Sequence, residues 1–218
     1  MAITAQYVIK EAQTALQDLA GIRWPASELV TYLNDGQRDL IVARPDANSV
    51  TVTFATVSGV RQSLPAAAMS LIDVPRNTTG RALRKADSDD LDAIAPNWRS
   101  AAGVTSFVHF CYDPREPNIF LLYPPSAITG GSVELSYAAY PTDVSAPTGD
   151  GRAFGTVSGG LTVNDQWAST LLNYVLFRAY SKDAEYGGNV ALATAYYQAF
   201  ANQLGSQLQS SQAVAPQK

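Results

Sequence analysis

Apolar positions change their period twice along the chain. After Thr4, a good helix cap, Val8, Ile9, Ala12, Ala15, Leu16 and Leu19 recur every three or four residues, which predicts a helix to about Leu19. Gly21 stands where a C-cap glycine belongs, and Pro25 suits the first turn of a second helix. That helix carries Leu29, Val30, Leu33, Leu40 and Ile41 on one face, interrupted by Gly36, and ends near Ala43 before Pro45. The period then falls to two. Val50, Val52 and Phe54 alternate with threonines, and Val60–Leu64 reads as a return strand after Gly59. Strands are also predicted at 71–74, 82–85, 106–112, 119–123 and 133–140, with one short helix from Asp87 to Ile94 leading to Trp98. Residues 141–160, rich in Gly, Pro, Ser, Thr and Asp, read as a long loop. Helical spacing returns at Asn164 or Asp165, with Trp167, Leu171, Leu172, Val175, Leu176 and Ala179 covering most of a circumference. Gly187-Gly188 breaks that helix, and a last one spans about Val190–Leu204.

The layout is helix pair, β-rich middle, helix pair. Each helix pair has an apolar face to cover, so the economical fold is α+β: a four-helix bundle from 1–45 plus 161–205, with 46–160 as a β-rich insertion. After Gly205 the chain is polar and low in complexity, too poor in apolar surface to fold alone, and is expected to form a flexible C-terminal arm over 206–218 with Leu208 as its one leucine.

Composition narrows the function classes. Only 16% of the 218 residues are charged, leaving few to spread over an isolated subunit, and the net charge of −4 argues against a broad nucleic-acid-binding face. The single cysteine, Cys111, excludes an intrachain disulfide. No signal peptide and no run of about 20 apolar residues is present, so no membrane partner is expected and the compartment is a reducing cytoplasm or a particle assembled there.

The search for chemistry is mostly negative. His109 and Cys111, two apart on one strand, are poorly placed as a nucleophile pair and too few to hold zinc. The aspartates 87, 89, 90 and 92 lack the glycine and glutamate of a calcium loop and suit a helix N-terminus instead. The glycines around 149–155 miss the phosphate-loop spacing, and Ser158 is not a nucleophile elbow. No catalytic, metal-ligating or cofactor-binding residue and no cofactor is therefore nominated. Arg76, Arg81, Arg84 and Lys85 directly precede the run opened by Asp87; such a bipolar segment can be solvated, pair between subunits or touch phosphate. Tyr112, Tyr123, Tyr137 and Tyr140 can form a sugar platform, though their strand pattern favours core or interface. Arg38 and Arg178, each on a largely apolar helix, are expected to be buried or half-buried bonding hubs.

The runs Trp24-Pro-Ala-Ser-Glu-Leu29, Tyr32-Leu-Asn34-Asp-Gly-Gln-Arg38-Asp39 and Arg44-Pro45-Asp-Ala47, with Leu176–Glu185 and Tyr196–Phe200, resemble the head-to-tail adaptor proteins of short-tailed bacteriophages, the tail tubular protein A type. The middle is similar more loosely, through Asn77, Gly80, Leu91, Pro96 and Trp98. The resemblance implies a structural virion protein and no enzyme: a homo-oligomeric ring of twelve copies between the portal protein and the tail nozzle protein. DNA crosses its lumen on ejection without specific binding, and the ring is assembled in the host cytoplasm. Trp24, Asn34, Arg38, Pro45, Trp98, Arg178 and Asp183, with the charged Arg76, Arg81, Arg84 and Asp87 and with Leu208 of the arm, are then structural or interface candidates. The rival reading is a tail-associated glycan-binding module or a glycosidase using paired carboxylates.

Overall fold

The computed structural model describes residues 3–182 and 187–214, with side chains as far as 205. Its described residues form a mixed α+β structure of five α-helices and two sheets. It divides into a helical unit, Met1–Ala47 with Pro141–Lys218, and a β unit, Asn48–Tyr140.

In the helical unit α1 spans Ala5–Ala15, and the Thr4 hydroxyl accepts the Tyr7 N–H. It ends short of the predicted Leu19. Gln17 takes a left-handed φ of 56°, and the N–H groups of Gln17 and Asp18 return to the carbonyls of Thr14 and Gln13. These two bonds are a Schellman stop made by a glutamine rather than by Gly21. Gly21 has a different reason to be glycine. Its φ is +61°, and a Cβ there would lie 2.2 Å from the Arg152 carbonyl oxygen.

Helix α2 spans Ala26–Ala43 and ends where the pattern predicts; Pro25 is its N-cap, in extended conformation, one position before the first turn in which the pattern placed it. Gly36 interrupts its apolar face because the Tyr174 ring lies against it; a Cβ would sit 2.8 Å from that ring. A tight turn, Asp165–Trp167, leads into α4, Ala168–Lys182, and α5 follows at Gly187–Val214. α5 thus continues past Gly205, through residues expected to form a flexible arm. Gln, Ser, Leu and Ala are adequate helix formers, and no proline intervenes before Pro216. Helix α4 packs on α1, α2 and α5, and α1 packs on α2. The four helices are joined through α4, a coarser arrangement than a regular four-helix bundle.

Residues 141–160, assigned by pattern to the β-rich insertion, divide instead with the helices. Their backbone carbonyls are used there: Gly151 accepts from Ser27 N–H, Arg152 from Ala26 N–H and Gly159 from Ala5 N–H.

The β unit holds β1 (Ser49–Ala55), β2 (Gly59–Ser63), β3 (Ala68–Asp73), β4 (Arg84–Lys85), α3 (Ser88–Ile94), β5 (His109–Cys111), β6 (Ile119–Ser126) and β7 (Ser132–Ala139). One sheet runs β1-β7-β3, the other β2-β6-β5-β4. β2 is therefore not the return strand of β1. The Gln62 side-chain amide bonds both the N–H and C=O of Val57 and the C=O of Gly59, closing the connection without a backbone ladder. β1 instead pairs antiparallel with β7, Val52 opposite Leu135. Between the sheets Leu71, Phe107, Phe110, Phe120, Leu122, Val133 and Leu135 form one core, with Val50, Val52 and Phe54 against it.

Candidate functional site

A seam of polar side chains joins α2 to α4. On α2, Glu28, Tyr32, Asp35 and Asp39 follow at helical spacing; on α4, Tyr174, Arg178 and Lys182 do the same. Arg178 lies 3.4 Å from Asp35 and 3.3 Å from the Tyr174 hydroxyl, with its guanidinium over the Tyr32 ring. The Tyr174 hydroxyl donates to Asp39 at 2.6 Å and the Tyr32 hydroxyl to Glu28 at 2.5 Å. Lys182 also bonds Glu28, at 2.6 Å. Burial, and then the bond to a carboxylate, pushes each phenol up to about 12. Both tyrosines therefore stay protonated donors near neutrality, and the seam acts as a structural tie.

The two arginines singled out from the sequence meet in this network through Asp35. Arg178 is the half-buried hub expected. Arg38 differs: its side chain is 48% exposed, though it still binds Asp35 at 3.2 Å and both oxygens of Asp143 at 2.6 Å. It sits on the solvent side of α2 because only the stripe through Leu33, Gln37, Leu40 and Ile41 turns inward. The partners Tyr32, Asp35, Asp39 and Tyr174 were missed; the matched four-residue spacings on α2 and α4 were the available signal.

The other candidates are mostly separate anchors. Trp24 is buried, and its Nε1 donates to the Ala179 carbonyl at 3.1 Å. Asn34 clamps residues 141–160 by exchanging two hydrogen bonds with the Val144 backbone, at 3.0 and 2.9 Å. Pro45 opens a short turn after α2. In the β unit Trp98 is buried, its Nε1 2.6 Å from Asp92, which also pairs with Arg99. The Arg99 and Trp98 bonds hold the Asp92 carboxyl below its ordinary value. Arg76 pairs with Glu134. Asp183, and the side chain of Leu208, lie outside the described residues.

Arg81, Arg84 and Lys85 are exposed, and among the described residues no ion pair joins them to the neighbouring aspartates. Asp87 caps α3 by accepting the Asp89 N–H, the role the pattern predicted. Lys85, Asp87, Cys111, Arg115 and Glu116 line a cleft of about 590 Å³. The Cys111 thiol is pushed up to about 11, chiefly by burial, and stays protonated there. His109 stacks on Tyr123. Tyr137 is buried in the β core, and Tyr112 packs on it and donates to the Pro117 carbonyl; of the four tyrosines proposed as a platform, Tyr140 is the most exposed. Asn77, one of the residues that carry the looser resemblance of the middle region, is a buried staple: its amide nitrogen donates to the carbonyls of Arg81 and Phe107 and its amide oxygen accepts the Phe107 N–H.

These side chains tie elements of the chain to one another. The chain belongs to the SU10 adaptor protein family, whose model matches residues 3–217, and is thus a phage head–tail adaptor. No curated protein matches it. Among the described residues no helix is long and apolar enough to cross a membrane, and no cluster of three or more His, Cys, Asp and Glu side chains could hold a metal ion.

Proposed function

We propose that this adaptor is the subunit of a head-to-tail ring that joins the portal protein to the tail nozzle protein and passes DNA through its lumen, with twelve copies closing the ring. In this reading α1, α2, α4 and α5 act as one bundle, the residues from 206 onward reach the portal, and the assembled ring is a virion component built in the host cytoplasm. The net negative charge of each copy suits a conduit that must not retain a polyanion.

The observation that carries the reading is the unspent charge of segment 81–90. Arg81, Arg84 and Lys85 stand exposed beside exposed Asp87, Asp89 and Asp90, without ion pairs between the two groups. A surface with both signs side by side is complementary to its own copy displaced along a ring, a heterologous contact that closes by rotation. Electron microscopy of the purified protein, alone and with portal, tests it. Rings are expected, and Arg81→Glu with Arg84→Glu should weaken them at low salt. Deleting 206–218 should leave rings but weaken portal binding. A protein that stays monomeric with portal present overturns the reading.

A further inference from the structure

The two sheets have four edges: β1 and β3, and β2 and β4. Unpaired edges invite association, and proteins blunt them with charge, bulges or short length. Three of these are blunted. β4 is two residues long and reads Arg84-Lys85. β2 carries an irregularity between Gly59 and Arg61, and exposed Arg61 lies on it. β3 has two register shifts and an aspartate, and the Tyr112 hydroxyl accepts its Leu71 N–H.

β1 has none of these protections. Its sequence, Ser-Val-Thr-Val-Thr-Phe-Ala, is uncharged, free of proline and glycine, β-branched at four of seven positions, and in unbroken register with β7. Thr56 N–H bonds the Gly131 carbonyl, so the alternating ladder turns the N–H and C=O groups of Phe54, Val52 and Val50 toward β7. Those of Ser49, Thr51, Thr53 and Ala55 point outward. Among the described residues none of these outward groups has a further hydrogen-bond partner.

We propose that β1 is a self-pairing edge, covered by β1 of a second copy running antiparallel. Full overlap centres the pair on Val52. Thr51 then faces Thr53 of the second copy, and Val50 faces its Phe54. Threonine–threonine and β-branched–aromatic pairs are favourable cross-strand partners, and no charge is buried. Each of the other three edges would bring a charged side chain or an irregular register to the same position. The pairing joins two three-stranded sheets into one and extends the shared apolar face formed by Val50, Val52 and Phe54. One seven-residue edge is small beside the roughly 1,200–2,000 Å² of a stable complex, so the association is weak and concentration-dependent. It is isologous, with two-fold symmetry, and therefore distinct from the heterologous contact of the proposed ring.

Two variants read the register. Thr51→Lys with Thr53→Lys sets like charges opposite each other across the pair; Thr51→Glu with Thr53→Lys sets opposite charges there. Both positions are exposed, so the fold of each variant is checked by circular dichroism. Sedimentation velocity up to roughly 100 µM protein should show the wild type pairing into a dimer of whichever species is present, free subunit or ring, weakened about tenfold or more by Lys/Lys and kept by Glu/Lys. Hydrogen exchange should show the amides of Thr51 and Thr53 gaining protection as concentration rises. A wild type that shows no dimer in this range, or a dimer indifferent to both variants, overturns the proposal. Rings that persist in the Lys/Lys variant while the dimer is lost separate the two contacts; a lost ring with an intact dimer bears on the ring alone.

Discussion

The guanidinium of Arg178 on α4 reaches 3.4 Å from the carboxylate of Asp35 on α2. Asp35 also binds Arg38, so one carboxylate links two arginines from different ends of the chain. The pair is about one-third exposed on both sides, which limits its Coulombic worth. The guanidinium contributes further by covering the rings of Tyr32 and Tyr174.

Replacing Arg178 separates these contributions. Arg178→Ala should cost about 1–2 kcal/mol in urea unfolding, from lost packing as well as lost charge. Arg178→Lys should recover only part, since an ammonium lacks the planar face that lies over Tyr32. Full recovery by lysine would reduce the tie to charge alone.

Gly36→Ala sets two effects against each other. Alanine gains about 1 kcal/mol of helix propensity over glycine. Its Cβ, however, meets the Tyr174 ring at 2.8 Å, and that ring is held by Phe177 and Phe200 at centroid distances of 5.9 and 5.2 Å. Overpacking of about 1–3 kcal/mol should win, giving a lower melting temperature. Pairing Gly36→Ala with Tyr174→Leu should relieve the clash.

The shared core of the chain ends is tested at Leu33 and Leu171, both fully buried. Each leucine-to-alanine change should cost roughly 2–5 kcal/mol in thermal or chemical unfolding. Leu172, only partly buried, should cost clearly less. Equal effects at 171 and 172 would mean that α4 is rotated from the orientation described.

Alkali should loosen the α2–α4 seam. Tyr32 and Tyr174 have phenols raised to about 12, against an ordinary value of about 10. A group with a raised folded value gives stability that is complete below its unfolded value and is lost as pH rises through the folded one. Urea midpoints should therefore hold to about pH 10 and fall between about 10 and 12. Tyr32→Phe with Tyr174→Phe should flatten that fall while lowering stability at neutral pH. A slope unchanged in the double variant would remove the seam as its cause.

Local chemistry was legible wherever a few adjacent residues suffice. Pro25 and Pro45 bracket α2, and the Asp87 cap marks α3. The end of α1 was misplaced because its stop is made by Gln17 in a conformation that its residue type does not announce, and Asp18 then holds the following turn by accepting the N–H groups of Ile22, Arg23 and Trp24. The seam was half legible: Arg38 and Arg178 stood out as charges on apolar helices, but Asp35 and Tyr174 looked like ordinary surface and core residues.

The sequence by itself determined the periods, hence which amphipathic segments are helices and which strands, because amphipathic spacing is a property of each segment alone; the polar continuation of α5 past Gly205 carries no such period and was not foreseen. It also carried the family resemblance. Tertiary structure decided what no segment contains. β1 pairs with β7 and not β2, because the Gln62 amide closes the intervening turn and the hydrophobic face of β1 is completed by Leu135 and Val133. Residues 141–160 lie with the helices because Asn34, Ala26 and Ser27 supply their backbone partners. Such pairings join groups far apart in the chain, and only the folded geometry shows which of many compatible partners is near.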